Sequence, residues 1–161
     1  MTSGICSTLN GCRCLSSPWG NEDTQALIDI LDKYKVKATF FVVGSWVDKY
    51  PESVKALCDA GHEVMNHSNT HAHMSQLSRD EIIADVNTCN DKIEAVTGVR
   101  PTLIRPPYGE YDDNVISAIR SIGMEPIQWD VEHSKTKETR CGATGFLCFY
   151  RHFAAQQSSI S

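Results

Sequence analysis

The feature that most constrains this chain is an alternation. From residue 21 to about residue 131, apolar strand-like runs take turns with amphipathic helical stretches, joined by short polar or glycine-marked links. Asp23 or Thr24 can cap a helix whose apolar stripe is Ala26, Leu27, Ile30, Leu31 and Tyr34. Residues 38–43 (ATFFVV) form a continuous β-rich run, the pattern of a strand covered on both faces. Pro51 opens the next helix, Val54, Leu57 and Cys58 line it, and Gly61 ends it. Residues 63–66 read as a short strand. Ser78-x-x-Glu81 fits a capping box at the head of a long helix carrying Ile82, Ile83, Val86, Ile93 and Val96, with Gly98 as its stop. A strand at 102–105, a helix at 114–122 and a strand at 125–129 complete the series. Repeated β–α units with short joints predict a parallel α/β architecture. In such folds reactive groups gather on the loops after the C-terminal ends of the strands. Periodicity alone does not separate an open sheet from a barrel.

The two ends lack this regularity. Before Pro18 the residues are mostly Ser, Thr, Gly and Cys with no convincing strand pattern, and after Glu132 the text is polar and patternless apart from one apolar burst, FLCFY. The expected division is therefore an atypical, irregular segment at 1–17, a core at 18–132 and an atypical, irregular tail at 133–161. The chain has 161 residues, the length of one ordinary domain. Lys and Arg number 15 against 20 Asp and Glu, a net charge of −5, so no basic footprint for nucleic acid or an anionic membrane is expected. No apolar stretch approaches the roughly 18–20 residues that span a bilayer. The seven cysteines are scattered, with no C-x-x-C pair, and read as free thiols of a reducing compartment. The first residues, MTSGICSTLNGCRC, show no apolar h-region, so neither a signal peptide nor an anchor is expected.

Two clusters can carry chemistry, each just after an expected strand. The first, NHSNTHAH, places His67, His71 and His73 on one loop. Two imidazoles four residues apart can converge on one cation, and neutral imidazole suits Zn²⁺, Fe²⁺, Co²⁺ or Ni²⁺. Solvated loop histidines are the plainer alternative. The second is Arg105-Pro106-Pro107-Tyr108-Gly109. Its prolines stiffen the loop, Arg105 can grip a carboxylate with two hydrogen bonds, and the Tyr108 backbone N–H can face a developing oxyanion. The plainer alternative is a rigid turn with a surface arginine.

These residues bring the chain to a resemblance. ATFFVVGSWVDKYPESVKALCDAGHEVMNHSNTH is similar to the strand–helix–strand lead-in to the H-[ST]-x-x-H motif of the polysaccharide deacetylase family, also called NodB-homology domains or carbohydrate esterase family 4. RPPYG resembles the family's R-x-P-Y motif, and WGNEDT and QWDV resemble the branch found in spore-forming bacteria. The resemblance implies an α/β fold, an incomplete distorted (β/α) barrel of the NodB-homology type. It implies hydrolysis of N-acetyl groups on an amino-sugar polysaccharide such as peptidoglycan or chitin, outside the membrane. It implies a divalent metal, Zn²⁺ before Co²⁺, Ni²⁺ or Fe²⁺, held by His67 and His71. Arg105 would orient a catalytic carboxylate and the Tyr108 N–H would stabilise the oxyanion, while His73 falls outside the motif as a bystander.

Three parts of the family pattern are missing. Aligned on Trp19-Gly20, Ser16 stands where the family's first motif carries an aspartate. A neutral serine cannot take a proton from metal-bound water at neutral pH and is a poor third ligand. Glu22 and Asp23 lie at a helix start, where capping explains them. Downstream, Glu132 is followed by His133-Ser134-Lys135-Thr136 where an S-x-D-W segment is expected, and neither His133 nor His152 has the context of the family's catalytic-acid histidine. The first barrel strand is unrecognisable, which predicts an unpaired sheet edge. Both ends read as out-of-frame or aberrant sequence around a deacetylase core. The alternative function is a catalytically inactive core lacking its aspartate base and histidine acid.

Overall fold

The computed structural model describes residues 21 and 23–128, together with the backbone of 5–7 and 14–15. Ser16, Glu22, Trp129, the segment from Glu132 onward and both candidate acids, His133 and His152, lie outside the described residues. The elements run β1 (Ile5–Ser7), β2 (Cys14–Leu15), α1 (Thr24–Lys33), β3 (Thr39–Val42), α2 (Gly44–Lys49), α3 (Pro51–Asp59), β4 (Glu63–Asn66), α4 (Arg79–Thr97), β5 (Leu103–Ile104), α5 (Asp113–Ser121) and β6 (Glu125–Pro126). They build one sheet in the order β2-β1-β3-β4-β5-β6. Strands β3 to β6 are mutually parallel, with Val42 beside Asn66, Asn66 beside Ile104 and Ile104 beside Pro126. That register sets the C-terminal ends of β3, β4 and β5 side by side. The parallel α/β architecture expected from the alternation is present.

The N-terminal segment departs from its expectation. Ile5–Ser7 pairs antiparallel with β3, and Cys14–Leu15 pairs antiparallel with β1. The edge of β3 away from β4 is thereby covered, not left open. Strands of two and three residues are too short to show alternation in sequence, so no pattern announced them.

Among the described residues, two apolar cores fill the space between helices and sheet. The first joins Ile28, Phe40, Val42, Trp46, Val47, Val54, Leu57, Cys89 and Ile93. The second joins Met74, Ile82, Val86, Ile104, Val115, Ala118, Ile119 and Met124. Helix α4 belongs to both, sending Ile82 and Val86 into one and Cys89 and Ile93 into the other. Its start has the expected capping box, with Ser78 and Glu81 exchanging backbone bonds, and its end has Gly98 at φ 74°. The left-handed turn there is one that glycine adopts without steric cost. Cys58 and Cys89 are free thiols. Among the described residues no helix is long and apolar enough to cross a membrane.

The expectation for α1 is corrected in phase. Thr24 and Ile28 are buried and Leu27 and Leu31 pack against the core, while Ile30 and Tyr34 are more than half exposed. Both stripes have helical spacing, and packing against α3 selects one. Asp23 occupies the N-cap position without a side-chain cap bond. Helix α2 went unforeseen because six residues show too little of a period. Its Trp46 and Val47 are buried all the same. Because α4 anchors both cores, Ile93→Ala is expected to cost about 2–5 kcal/mol in urea unfolding. Ser78→Ala is expected to cost only about 1 kcal/mol, through the lost cap.

Candidate active site

His67 follows β4 directly, and Arg105 follows β5 directly. The ladder runs on past the strand ends: Arg105 N–H donates to the Asn66 carbonyl of β4 at 3.0 Å, and His67 N–H donates to the Val42 carbonyl of β3 at 2.9 Å. The His67 ring is 2% exposed. Its Nδ1 lies 2.6 Å from the Arg105 carbonyl oxygen. A carbonyl only accepts, so Nδ1 carries the proton and Nε2 keeps its lone pair. That is the tautomer a metal ligand needs, oriented by a backbone partner.

His71 lies across from it, with ring centroids 5.1 Å apart at an interplanar angle of 78°. Tyr108 packs edge-on against His71 at 4.7 Å. Thus the structure brings His67, His71, Arg105 and Tyr108 together, on loops from two neighbouring strands. Arg105 is 1% exposed, and its guanidinium sits over the Phe41 ring at 4.3 Å, a cation–π contact. It is therefore not a surface arginine. The Tyr108 backbone, at φ 57°, makes no N–H hydrogen bond to the described residues.

His73 is more than a bystander. Its ring stacks on Tyr108 at 4.0 Å with the planes 10° apart. Its Nδ1–H donates to Glu110 Oε1 at 2.7 Å, and Ser75 Oγ–H donates to Glu110 Oε2 at 2.8 Å. These two donors hold the Glu110 carboxyl below its usual range. His73 thereby braces the far end of the RPPYGE loop. Sequence reading also missed Asp85, whose carboxylate accepts from Ser68, Asn69 and Thr70 of the histidine loop. Its signal was hidden in the helix pattern, where an acidic residue normally means solvent.

Among the described residues, the non-glycine positions of positive φ are Lys35, Ser68, His71 and Tyr108, and all but the first belong to this site. Each such turn costs on the order of 1–3 kcal/mol, so the surroundings must over-determine it. Glycine at position 44 is part of that support. A Cβ there would collide with the Asn69 side chain and lie 3.0 Å from Asn69 Cα.

Burial lowers the His67 pKa to about 4, with the Arg105 carbonyl bond opposing and the charges of His71 and Arg105 adding to the depression. His71 is also lowered, chiefly by burial and then by His73. Both rings are accordingly neutral at pH 7, the state that binds a metal ion. No group of three or more His, Cys, Asp or Glu that could enclose a metal ion occurs among the described residues. The pair therefore fits a cation as two ligands of a set. In metal-free protein, the unfolded chain binds the His67 proton from the ordinary value of 6.5 downward, and the folded chain only near 4. This contribution to stability is complete above pH 6.5 and is lost as pH falls toward about 4, amounting to about 3 kcal/mol. Histidine NMR titration is expected to place His67 near 4, and denaturant unfolding across the same range is expected to show the loss.

A family model described as polysaccharide deacetylase matches residues 15–127. The chain is 42% identical over 115 residues to the peptidoglycan-N-acetylmuramic acid deacetylase PdaC of Bacillus subtilis, covering 71% of this chain and 24% of that protein. It is 37% identical over 106 residues to chitin deacetylase 1 of Cryptococcus neoformans var. grubii, covering 66% of this chain and 23% of that protein. It thus spans about a quarter of the length of these two relatives. A solved structure of a CE4 family pseudoenzyme from Bacillus anthracis superposes with a TM-score of 0.67 at 40% identity, covering 70% of this chain and 40% of that one. The α/β fold is accordingly that of the NodB type, a distorted barrel of which the described strands form a part. With the family model matching most of its length, and with His67, His71 and the Arg105–Tyr108 turn gathered at the strand ends, this chain belongs to the polysaccharide deacetylase family.

Proposed function

We propose that this chain carries the deacetylation centre of a metal-dependent hydrolase that removes N-acetyl groups from an amino-sugar polysaccharide such as peptidoglycan or chitin. The observation that carries the reading is the convergence of His67 and His71, both neutral, beside Tyr108. The names of the relatives, a peptidoglycan deacetylase and a chitin deacetylase, supply the substrate class. His67 Nε2 and the His71 ring would hold a divalent cation, Zn²⁺ before Co²⁺, Ni²⁺ or Fe²⁺. Such a cation supplies Lewis acidity to the acetyl carbonyl and to water. The Tyr108 N–H stabilises the oxyanion as water adds to the amide carbon. The C–N bond then breaks, acetate departs and the sugar amine takes up a proton. Arg105, already buried over Phe41, would orient a catalytic carboxylate, and its own carbonyl keeps His67 in the ligand tautomer.

A second reading has a specific observation in its favour. No third metal-binding side chain joins the pair among the described residues, and Ser16 stands at the sequence position of the family's aspartate. This favours an inactive core, of the kind that the pseudoenzyme from Bacillus anthracis exemplifies among the relatives.

Acetate release from N-acetylglucosamine oligomers, with Zn²⁺ added, separates the two. The active reading expects release that falls by about 100-fold or more in His67→Ala. Release equal to that of His67→Ala sinks it and leaves the inactive core. Calorimetry with Zn²⁺ alone adds an independent measure. Micromolar or tighter binding at one site requires a third ligand beyond the two imidazoles.

A further inference from the structure

Helix α4 faces the histidine loop with a carboxylate that the deacetylation chemistry above does not use. Asp85 Oδ2 accepts from Ser68 Oγ–H and from Asn69 N–H, both at 2.8 Å. Asp85 Oδ1 accepts from Thr70 Oγ1–H at 2.9 Å and from Thr70 N–H at 3.3 Å. All four donors lie between His67 and His71. Ser68 Oγ also accepts from His71 N–H at 3.0 Å. A hydroxyl has a single proton. Because the Ser68 hydroxyl donates it to Asp85, a Ser68 lone pair is left to accept from the His71 backbone N–H. The carboxylate thus reaches His71 through one hydroxyl.

We infer that Asp85 is the positioning residue of the histidine pair, setting where His71 stands relative to His67 by fixing the backbone between them. That backbone needs fixing, because Ser68 at φ 72° and His71 at φ 58° hold turns disfavoured for side chains. Other contacts secure different points of the loop. Gly44 N–H and Ser45 N–H donate to the Ser68 and Asn69 carbonyls, and Lys92 Nζ donates to Asn69 Oδ1. Thr70 and the hydroxyl link to His71 depend on Asp85. A charged acceptor forms roughly twice as strong a hydrogen bond as a neutral one, which suits a carboxylate to holding a strained turn. The inference rests on the reading of His67 and His71 as a cation site.

The test uses the full chain with Co²⁺ as the probe, comparing wild type, Asp85→Ala, Asp85→Asn and Val54→Ala. Val54 is a fully buried residue of α3 in the first core and serves as a destabilised control. Asp85→Ala is expected to weaken Co²⁺ binding by about 10- to 100-fold, the usual range for a lost outer partner of a metal ligand. Asp85→Asn is expected to fall between, since its carbonyl oxygen can keep the bonds made by Oδ2. Val54→Ala is expected to lower Tm and leave the affinity unchanged. Should Asp85→Ala not fold, Asp85→Asn carries the comparison.

The metal-free proteins give a second readout, the backbone coupling constants of Ser68 and His71, which report positive φ. They are expected to change in the Asp85 variants and not in Val54→Ala. Affinity equal to wild type in both Asp85 variants overturns the inference. If wild type takes up no Co²⁺, the cation-site reading fails and the couplings decide: unchanged values in both Asp85 variants overturn the positioning role, and altered values sustain it.

Discussion

The site depends on one hydrogen bond, from His67 Nδ1–H to the carbonyl of Arg105. It links the residues that follow two adjacent parallel strands, so the histidine loop and the RPPYG loop cannot be placed independently. It also resolves the tautomer of a buried imidazole, leaving Nε2 as the nitrogen with a lone pair. Burial depresses the ring's basicity and keeps it neutral, so the same geometry that costs the ring its hydration keeps it ready to bind a cation. Arg105 serves twice, through its carbonyl on His67 and through its guanidinium over Phe41 of β3, one strand beyond β4.

Behind this bond stands α4. The helix enters both apolar cores, with Ile82 and Val86 in one and Cys89 and Ile93 in the other. Its polar side chains then address the adjoining strand and loop: Asp85 the Ser68–Thr70 backbone, Asn90 the side chain of Asn66, and Lys92 the side chain of Asn69. A helix packed in both cores thereby supports a short loop with two left-handed turns. On the opposite side, His73 and Glu110 brace Tyr108, whose own left-handed turn is the third. Backbone strain held by a well-packed scaffold is a familiar route to pre-organisation.

Much of this was legible in the residues. The strand at Glu63–Asn66, the capping box at Ser78 and the glycine stop at Gly98 stand where local patterns put them, because each depends on near neighbours in the chain. The histidine pair and the arginine loop were legible as clusters after strands. What escaped was everything decided by distant partners. The stripe of α1 is turned relative to its expectation because several helical faces were apolar enough and only contact with α3 chose among them. Helix α2 and the two N-terminal strands are too short for any period to register. No local pattern marks Asp85, and His73 reads as a bystander of its motif, since the hydrogen-bonded groups they touch lie 15 to 17 and 37 residues away.

The amino-acid sequence by itself determined the alternating α/β pattern, the residue types at the strand ends and the family to which they point. Those properties follow from local propensity and from chemistry carried by single side chains. Tertiary structure alone decided that His67 is buried with its proton on Nδ1, that the His71 ring centroid stands 5.1 Å from its own, and that Asp85 of the following α-helix bonds the loop between them. The physical reason is that tautomer, pKa and backbone strain depend on what surrounds a group, and for this site the surroundings come from strands and a helix brought together only by folding.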